Sequence, residues 1–215
     1  MKCGGEKQGM MRFVAATGNK GKLKEIKEIL ASFPLEVLSM GEAGIHQDIE
    51  ETGKTFEENA VIKASHIAGI TKDIVMADDS GLEVDYLNGE PGIYSSRFAG
   101  EGASDEDKNR KLLGLLQGVP FEKRSARFVC AVAVVFPDGS SFTVKGTCEG
   151  YIGEEPAGHN GFGYDPLFYM PEYEKTIAEM DAETKNRISH RGKALRKMVE
   201  ELKKRNIEEL ACSRL

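Results

Sequence analysis

Three features of the 215-residue sequence predict an α/β fold, with helices flanking a mixed central β-sheet. The apolar run at residues 13–16 precedes a glycine-containing turn and an apolar set at helical spacing, as in a strand–turn–helix unit. The continuous apolar run at 74–77 is typical of a strand buried on both faces. The longest β pattern, at 126–136, leads into a hairpin turn at 137–140, which is too short for a parallel crossover. The sheet is therefore expected to be mixed.

Local signals predict the elements of the first half of the chain. A helix is expected after residue 22 from its apolar spacing, and residues 35–38 suggest a second strand. Thr55 followed by Glu58 forms a capping box, which predicts a helix from residue 56 to about residue 69. The inward stripe of this helix is Phe56, Ala60, Ala64 and Ile67.

The second half of the chain continues the alternation of strands and helices. Residues 82–86 can extend the strand that begins at 74, and residues 88–102 form a long loop of the kind that is usually functional or mobile. Ser104 and Asp107 cap a helix that stops near Gly118. A short strand is predicted at 167–169. Ser189 then caps the last helix, whose inward residues are Ala194, Leu195, Met198 and Leu202.

Composition excludes several classes of protein. The chain is 40% hydrophobic and 30% charged, which suits one ordinary α/β domain or two small lobes. Its formal net charge of −6 disfavours a nucleic-acid-binding surface, so an anionic substrate would need a local basic site or a metal. The sequence has neither a bilayer-spanning apolar stretch nor the apolar core of a signal peptide, so we expect a cytoplasmic protein without a membrane partner. A single domain is predicted over 11–205, with 1–10 as a disordered N-terminal extension and 206–215 as a C-terminal tail.

The turn between the first strand and the first helix is a candidate phosphate site. Gly18 and Gly21 let the backbone approach an anion closely, while Lys20 and Lys22 add positive charge at the start of a helix. An ordinary turn with solvated lysines explains the same residues about as well, because an isolated glycine-rich loop is a weak signal. The pattern is not the G-x-x-x-x-G-K-[ST] phosphate loop.

Acidic residues occur in two segments. Asp78 and Asp79 come directly after the apolar run 74–77, and ligand sites in open α/β sheets gather where strands end. Consecutive strand residues point to opposite faces, so one of the pair is expected to face the site squarely. Glu50 and Glu51 lie in an acidic stretch before the second helix. Lys63 falls on the inward stripe of that helix, where it needs an anion or a route to water.

Two further segments suit a planar, charged ligand. In the glycine-rich loop 158–166, Phe162 and Tyr164 suit stacking on a flat ring, and a plain loop with buried aromatics is the alternative. His190 and Arg191 occupy the first turn of the last helix, where cations are unfavourable unless an anion binds there too. One nucleoside triphosphate with Mg²⁺ would account for the carboxylates, the basic segments and the aromatic loop together.

The same segments form an ordered series of motifs that resembles a known family. They are Thr17-Gly18-Asn19-x-x-Lys22, Glu50-Glu51-Thr52-Gly53-x-Thr55-Phe56-x-Glu58-Asn59-Ala60, Ala77-Asp78-Asp79-Ser80-Gly81-Leu82, Gly161-Phe162-Gly163-Tyr164-Asp165-Pro166 and Ser189-His190-Arg191-Gly192. The chain closely resembles the inosine triphosphate pyrophosphatase family, hydrolases of ITP, dITP and XTP, from residue 11 to about residue 204. The resemblance implies an elongated sheet, two lobes with an active-site cleft between them, and a homodimer.

The resemblance also implies a reaction and roles for individual residues. The family converts a nucleoside triphosphate and water to the monophosphate and pyrophosphate, and it requires Mg²⁺, for which Mn²⁺ is a possible substitute. Asp79 would be the catalytic base and a metal ligand. Glu50 would be the second metal ligand, with Glu51 as the less favoured alternative. The substrate contacts would be Thr17, Gly18, Asn19, Lys20, Gly21, Lys22, Lys63, Ser80, Phe162, Gly163, Tyr164, Asp165, Lys185, His190 and Arg191.

Two other functions remain open from the sequence. One is a pyrophosphatase for other modified or pyrimidine nucleotides, and the other is a nucleotide-binding module without catalytic activity. Carboxylates in both acidic segments argue against the module, because binding alone does not need them.

Overall fold

The computed structural model describes residues 10–18, 20–47 and 49–205. The predicted C-terminal tail lies outside the described residues, and so does the predicted N-terminal extension apart from Met10. Within the described residues, no helix combines the length and the apolar character needed to cross a membrane.

A seven-stranded mixed sheet forms the centre of the molecule, with the strand order β2-β1-β3-β4-β5-β6-β7. β1 pairs in parallel with β2 and β3, and all pairs from β3 to β7 are antiparallel. This arrangement confirms the predicted mixed sheet and the hairpin between β4 and β5. The strands are β1 Met11–Ala15, β2 Leu35–Ser39, β3 Ile74–Val84, β4 Ser125–Val135, β5 Ser141–Ile152, β6 Phe168–Met170 and β7 Lys175–Thr176.

Helices cover both faces of the sheet. One face carries α1 and α5, whose buried residues pack with Phe13, Met76 and Val132 in one core cluster. The other carries α2, which packs on Val75 and Ala133. A further cluster lies around Leu82, Phe128 and Phe168 towards the far end of the sheet. The helices are α1 Lys20–Leu30, α2 Phe56–Thr71, α3 Asp105–Leu115, α4 Ala182–Ile188 and α5 His190–Lys204.

The helix caps follow their sequence signals closely. Thr55 Oγ1 accepts from the N–H of Glu58, although the Glu58 carboxylate accepts from Lys54 instead of completing the box on Thr55. The box at the start of α3 is complete, and Ser189 caps α5 as predicted. α4 was not predicted, because its sequence AETKNRI has no apolar stripe and contributes no buried residue.

β3 does not end near its pair of aspartates, where a strand end was predicted at the candidate site, and the predicted extension over 82–86 is confirmed as far as Val84. β4 pairs with β3 from Val75 to Val84, with Asp78 opposite Val132 and Asp79 opposite Ala131. The strand therefore passes through the carboxylates and ends at Val84, before the 3₁₀ turn Asp85–Leu87. β1 accompanies β3 only as far as Ala15, with one more bond from the Ala16 N–H to the Met76 carbonyl. Beyond that point the edge of β3 is open to the elements that carry the candidate site.

Candidate active site

Asp78 lies on the face of β3 that α1 and α5 cover, and it gathers cations from both helices. Its side chain is only 2% exposed, and it accepts from Lys22 Nζ at 2.8 Å and from Arg191 Nε at 3.4 Å. Burial alone would raise the pKa of Asp78, but Lys22 and Arg191 hold that pKa well below its usual value. Asp78 is therefore an ionised counter-ion that keeps two of the predicted substrate contacts together.

Asp79 lies on the opposite face of β3, against α2. One carboxylate oxygen accepts from Asn59 Nδ2 at 3.0 Å, and the other accepts from the backbone N–H of Ser80 at 2.9 Å. Burial and the nearby Glu51 carboxylate raise the pKa of Asp79, while the Asn59 hydrogen bond and Lys63 oppose the rise. The two aspartates therefore point to opposite faces of β3, as the alternation of side chains along a strand predicts.

Glu51, not Glu50, is the residue of the acidic segment that faces Asp79. Glu51 forms an ion pair with Lys63, whereas Glu50 is exposed. The segment is held to α2 by the Gly53 N–H, which donates to Asn59 Oδ1 at 2.8 Å. A side chain at Gly53 would meet that oxygen at 2.6 Å, so the close approach requires glycine. The structure thus favours the alternative that the sequence ranked second.

Lys63 links the two faces of β3. Besides its ion pair with Glu51, its Nζ lies 3.4 Å from the backbone carbonyl of Asp78, on the open edge of the strand. The predicted inward lysine therefore has both an anion and a place at the site. Lys63 thus joins the acidic pair on one face to the backbone of Asp78, whose carboxylate holds the cations on the other face.

The turn after β1 lies beside the same edge of β3. Thr17 is half-buried and its N–H donates to the Ala15 carbonyl, while Gly18 and Gly21 are exposed. Lys22 points back to Asp78 from α1. Asn19 lies outside the described residues, as does the side chain of Lys20.

The glycine-rich loop presents one aromatic ring and buries the other. Phe162 is 50% exposed, with Lys185 Nζ 5.0 Å and Arg191 Cζ 5.8 Å from its ring centre. Tyr164 is buried and its hydroxyl donates to the Ser95 carbonyl, so its ring belongs to the core and is not available for stacking. Asp165 is buried as well, and it accepts from the Phe162 N–H at 2.9 Å and from Lys185 Nζ at 2.6 Å.

The start of α5 places a neutral histidine beside a paired arginine. His190 is buried and stacks on Phe128 with ring centres 4.8 Å apart, and its Nδ1 finds no hydrogen-bond partner among the described residues. Burial, together with nearby cations led by Arg191, puts the pKa of His190 well below its ordinary value. Arg191 itself bonds to Ser80 Oγ at 3.2 Å as well as to Asp78.

A cavity of about 710 Å³ brings most of the predicted substrate contacts together. Asp79, Glu51 and Lys63 are not among its lining residues, and Lys63 reaches only the Asp78 backbone carbonyl, two residues before the lining residue Ser80. The wall includes the predicted residues Gly21, Lys22, Ser80, Phe162, Gly163, Tyr164, Asp165, Lys185, His190 and Arg191.

Metal binding is supported by two carboxylates. Over residues 10–18, 20–47 and 49–205, no group of three His, Cys, Asp or Glu side chains is placed to hold a metal ion. Mg²⁺ commonly uses only one or two carboxylates and takes its other ligands from water and phosphate. Asp79 and Glu51 are hard oxygen donors whose mutual repulsion a divalent cation would relieve. Their chemistry therefore fits Mg²⁺ or Mn²⁺.

Two residues of the site had no role in the prediction. Asn59 was quoted only as part of a motif, yet it is fully buried and joins Asp79 to Gly53. Its position one turn before Lys63, as an amide beside an apolar stripe, is the signal that could have identified it. Asp78 was noted as one of a pair, but a sequence does not show which cations a strand carboxylate will meet.

The chain is similar to known proteins in sequence. The chain matches the Ham1 family over residues 13–201. It is 54% identical over 190 residues to a dITP/XTP pyrophosphatase of Desulforamulus reducens, covering 88% of this chain and 94% of that protein. It is 51% identical over 197 residues to a dITP/XTP pyrophosphatase of Bacillus cereus, covering 91% and 96% respectively.

Solved structures show the same fold. A HAM1 protein from Coxiella burnetii superposes with a TM-score of 0.86 at 43% identity, covering 91% of this chain and all of that chain. The Ham1 protein of Staphylococcus aureus gives a TM-score of 0.84 at 44% identity, with the same coverage.

Proposed function

This chain belongs to the Ham1 family, and on that premise we propose that it hydrolyses deaminated purine nucleoside triphosphates to the monophosphate and pyrophosphate. Curated relatives that are about half identical over roughly nine-tenths of the chain act on dITP and XTP by name. The protein is accordingly a hydrolase of the triphosphate anhydride bond, and dITP, XTP and ITP are its substrates.

The observation that carries the proposal is the meeting of opposite charges at the open edge of β3. Lys63 contacts Glu51 and the Asp78 carbonyl, while Lys22 and Arg191 share the Asp78 carboxylate. A triphosphate laid along this edge would have cations on one side and the acidic pair on the other. Hydrolysis of phosphoanhydrides depends mainly on such positioning and charge neutralisation.

Asp79 and Glu51 are the residues that would hold Mg²⁺ or Mn²⁺. When bound, such a cation neutralises phosphate charge and lowers the pKa of coordinated water. The surroundings of Asp79 support this role, because burial and Glu51 disfavour two unshielded negative charges there.

The proposal also gives Asp79 the role of general base. The attacking water loses a proton to the carboxylate as its oxygen bonds to phosphorus, and the anhydride bond between the first and second phosphoryl groups breaks. Pyrophosphate then leaves with the bonding electron pair. Asn59 and the Ser80 N–H fix both carboxylate oxygens of Asp79, so the base is oriented before substrate arrives.

The base of the nucleotide is proposed to stack on Phe162, with Asp165, Lys185, His190 and Arg191 around its edge. Half of the Phe162 side chain is open to the cavity, which suits a planar ring. The neutral, buried imidazole of His190 has a nitrogen without a partner among the described residues, so a base that fails to satisfy such groups is rejected. The homodimer implied by the resemblance and the cytoplasmic location expected from the sequence both stay predictions.

A turnover panel tests the proposal. With Mg²⁺, ITP, dITP and XTP should release pyrophosphate, while ATP, GTP and pyrimidine triphosphates should be poor substrates. Orthophosphate as the first product, or a preference for pyrimidines, would contradict it. Tight ITP binding without turnover would instead indicate a nucleotide-binding module. Asp79→Asn should lower kcat by orders of magnitude while melting like the parent, and near-normal turnover would remove Asp79 from its role.

A further inference from the structure

Phe162 lies between two glycines, in a loop whose own backbone does not restrict it to one conformation. The residues on both sides of it, Gly161 and Gly163, have positive φ values of +85° and +63°. Glycine reaches other conformations at little cost, so this backbone needs contacts from outside the loop to stay in place. Within the loop itself, Asp165 provides one contact by accepting from the Phe162 N–H.

Two contacts from outside the loop come from α3, which the proposed mechanism does not use. Asp105 Oδ2 accepts from the Gly163 N–H at 2.6 Å, and Asn109 Nδ2 donates to the Gly163 carbonyl at 3.0 Å. The two side chains lie one turn apart on the same side of α3. Together they hold the N–H and the carbonyl of the residue next to Phe162, and we call this pair the Gly163 clamp.

α3 is a rigid support for the clamp. Its start is fixed by the reciprocal capping box of Ser104 and Asp107, and its end is anchored by Leu112 and Leu116, which are fully buried. Asn109 is itself buried, so its amide cannot turn freely to water. Because α3 is capped at its start and anchored at its end, the clamp holds Gly163 in a fixed position.

We propose that Asp105 and Asn109 are positioning residues that set the affinity for the purine ring by holding Phe162 at the wall of the cavity. The inference rests on the proposed function, in which a purine stacks on Phe162. The clamp touches the loop only through Gly163 and contacts none of the residues assigned to the phosphates. Its effect should therefore appear in recognition of the base and not in recognition of the triphosphate.

Asn109→Leu is the principal test, because it keeps the branching and the number of heavy atoms of the side chain and removes the bond to the Gly163 carbonyl. KM for ITP and the inhibition constant of IMP should each rise about three- to tenfold, as expected for one lost hydrogen bond. The value of kcat and the inhibition constant of inorganic tripolyphosphate, which has no base, should stay within about twofold. Calorimetric titration with IMP measures the loss directly.

Asp105 provides a second test with a matched control. Asp105→Ala removes the acceptor for the Gly163 N–H, whereas Asp105→Asn keeps an oxygen there and should retain most of the IMP affinity. Glu106→Ala removes an exposed carboxylate from the same helical turn and should leave IMP binding unchanged. Thermal melting of each variant verifies that it is folded.

The outcomes separate the clamp from the proposed function. If the parent does not turn over ITP, the proposed function fails, whatever the variants do. If the parent is active and folded Asn109→Leu binds IMP like the parent, the clamp is refuted. Equal weakening of IMP and tripolyphosphate, or weakening of IMP by Glu106→Ala, would also refute it.

Discussion

Asp78→Asn is expected to destabilise the protein strongly. The variant removes the buried counter-ion of Lys22 and Arg191, whose side chains are 19% and 7% exposed. Breaking a buried ion pair by removing one partner costs about 3–5 kcal/mol. Lys22 keeps some access to water, so the lower figure of about 3 kcal/mol applies here. For a domain of this size that loss corresponds to a melting temperature lower by about 6–12 °C.

Thermal unfolding followed by circular dichroism at pH 7 measures the loss. The control is Glu201→Gln, which breaks an exposed pair with Lys204 and should hardly change the melting temperature. The pKa of Asp78 is lowered in the folded state, so its contribution is present above its ordinary value of 3.8 and is lost as pH falls further. The difference between parent and variant should therefore shrink below about pH 4. A melting temperature within about 2 °C of the parent at pH 7 would refute this account of Asp78.

Three further predictions follow from the site. Glu51→Gln should lower kcat by about tenfold or more and weaken Mn²⁺ binding measured by calorimetry, while Glu50→Gln should do neither. If Glu50→Gln had the larger effects, Glu50 would be the metal ligand, as the sequence first suggested. The pKa of His190 is lowered, so the unfolded state gains a proton below about pH 6.5 that the folded state does not, and stability should fall there by up to about 1.4 kcal/mol per pH unit. His190→Gln should flatten that fall in urea titrations, and an unchanged slope would contradict the assignment. Gly53→Ala should displace Asn59 and lower kcat, and the fall in melting temperature should be too small to explain the lost activity. A kcat like that of the parent would show that the close approach of Gly53 to Asn59 is not needed.

Much of the fold was predictable because its signals are local. The hairpin after β4, the cap at Ser189 and the inward stripe of α2 each depend on a few neighbouring residues whose preferences agree with the fold. α4 was missed because a short helix without an apolar stripe has no periodic signal, although its Asp181 N-cap accepts from the Thr184 N–H. The aspartates of β3 were placed near a strand end because the apolar run stops at Ala77, whereas pairing with β4 carries the strand through them into the predicted extension.

The candidate site was predictable as a set of segments but not as a set of contacts. The motifs identified Lys22, Phe162 and Arg191, which line one cavity, and Asp79, which lies against α2 on the other face of β3. The choice between Glu50 and Glu51 depended on which of two neighbours turns towards Lys63, and spacing alone does not determine that. Whether an aromatic residue stacks or packs depends on its tertiary surroundings in the same way.

The account as a whole depends on one substrate lying across the open edge of β3. A crystal structure with Mn²⁺ and a non-hydrolysable analogue of ITP tests this most directly, because Mn²⁺ is identified by its anomalous scattering. We predict the metal between Asp79 and Glu51, the phosphates against Lys22, and the purine on Phe162. A metal bound away from Asp79, or phosphates bound away from Lys22, would contradict the account.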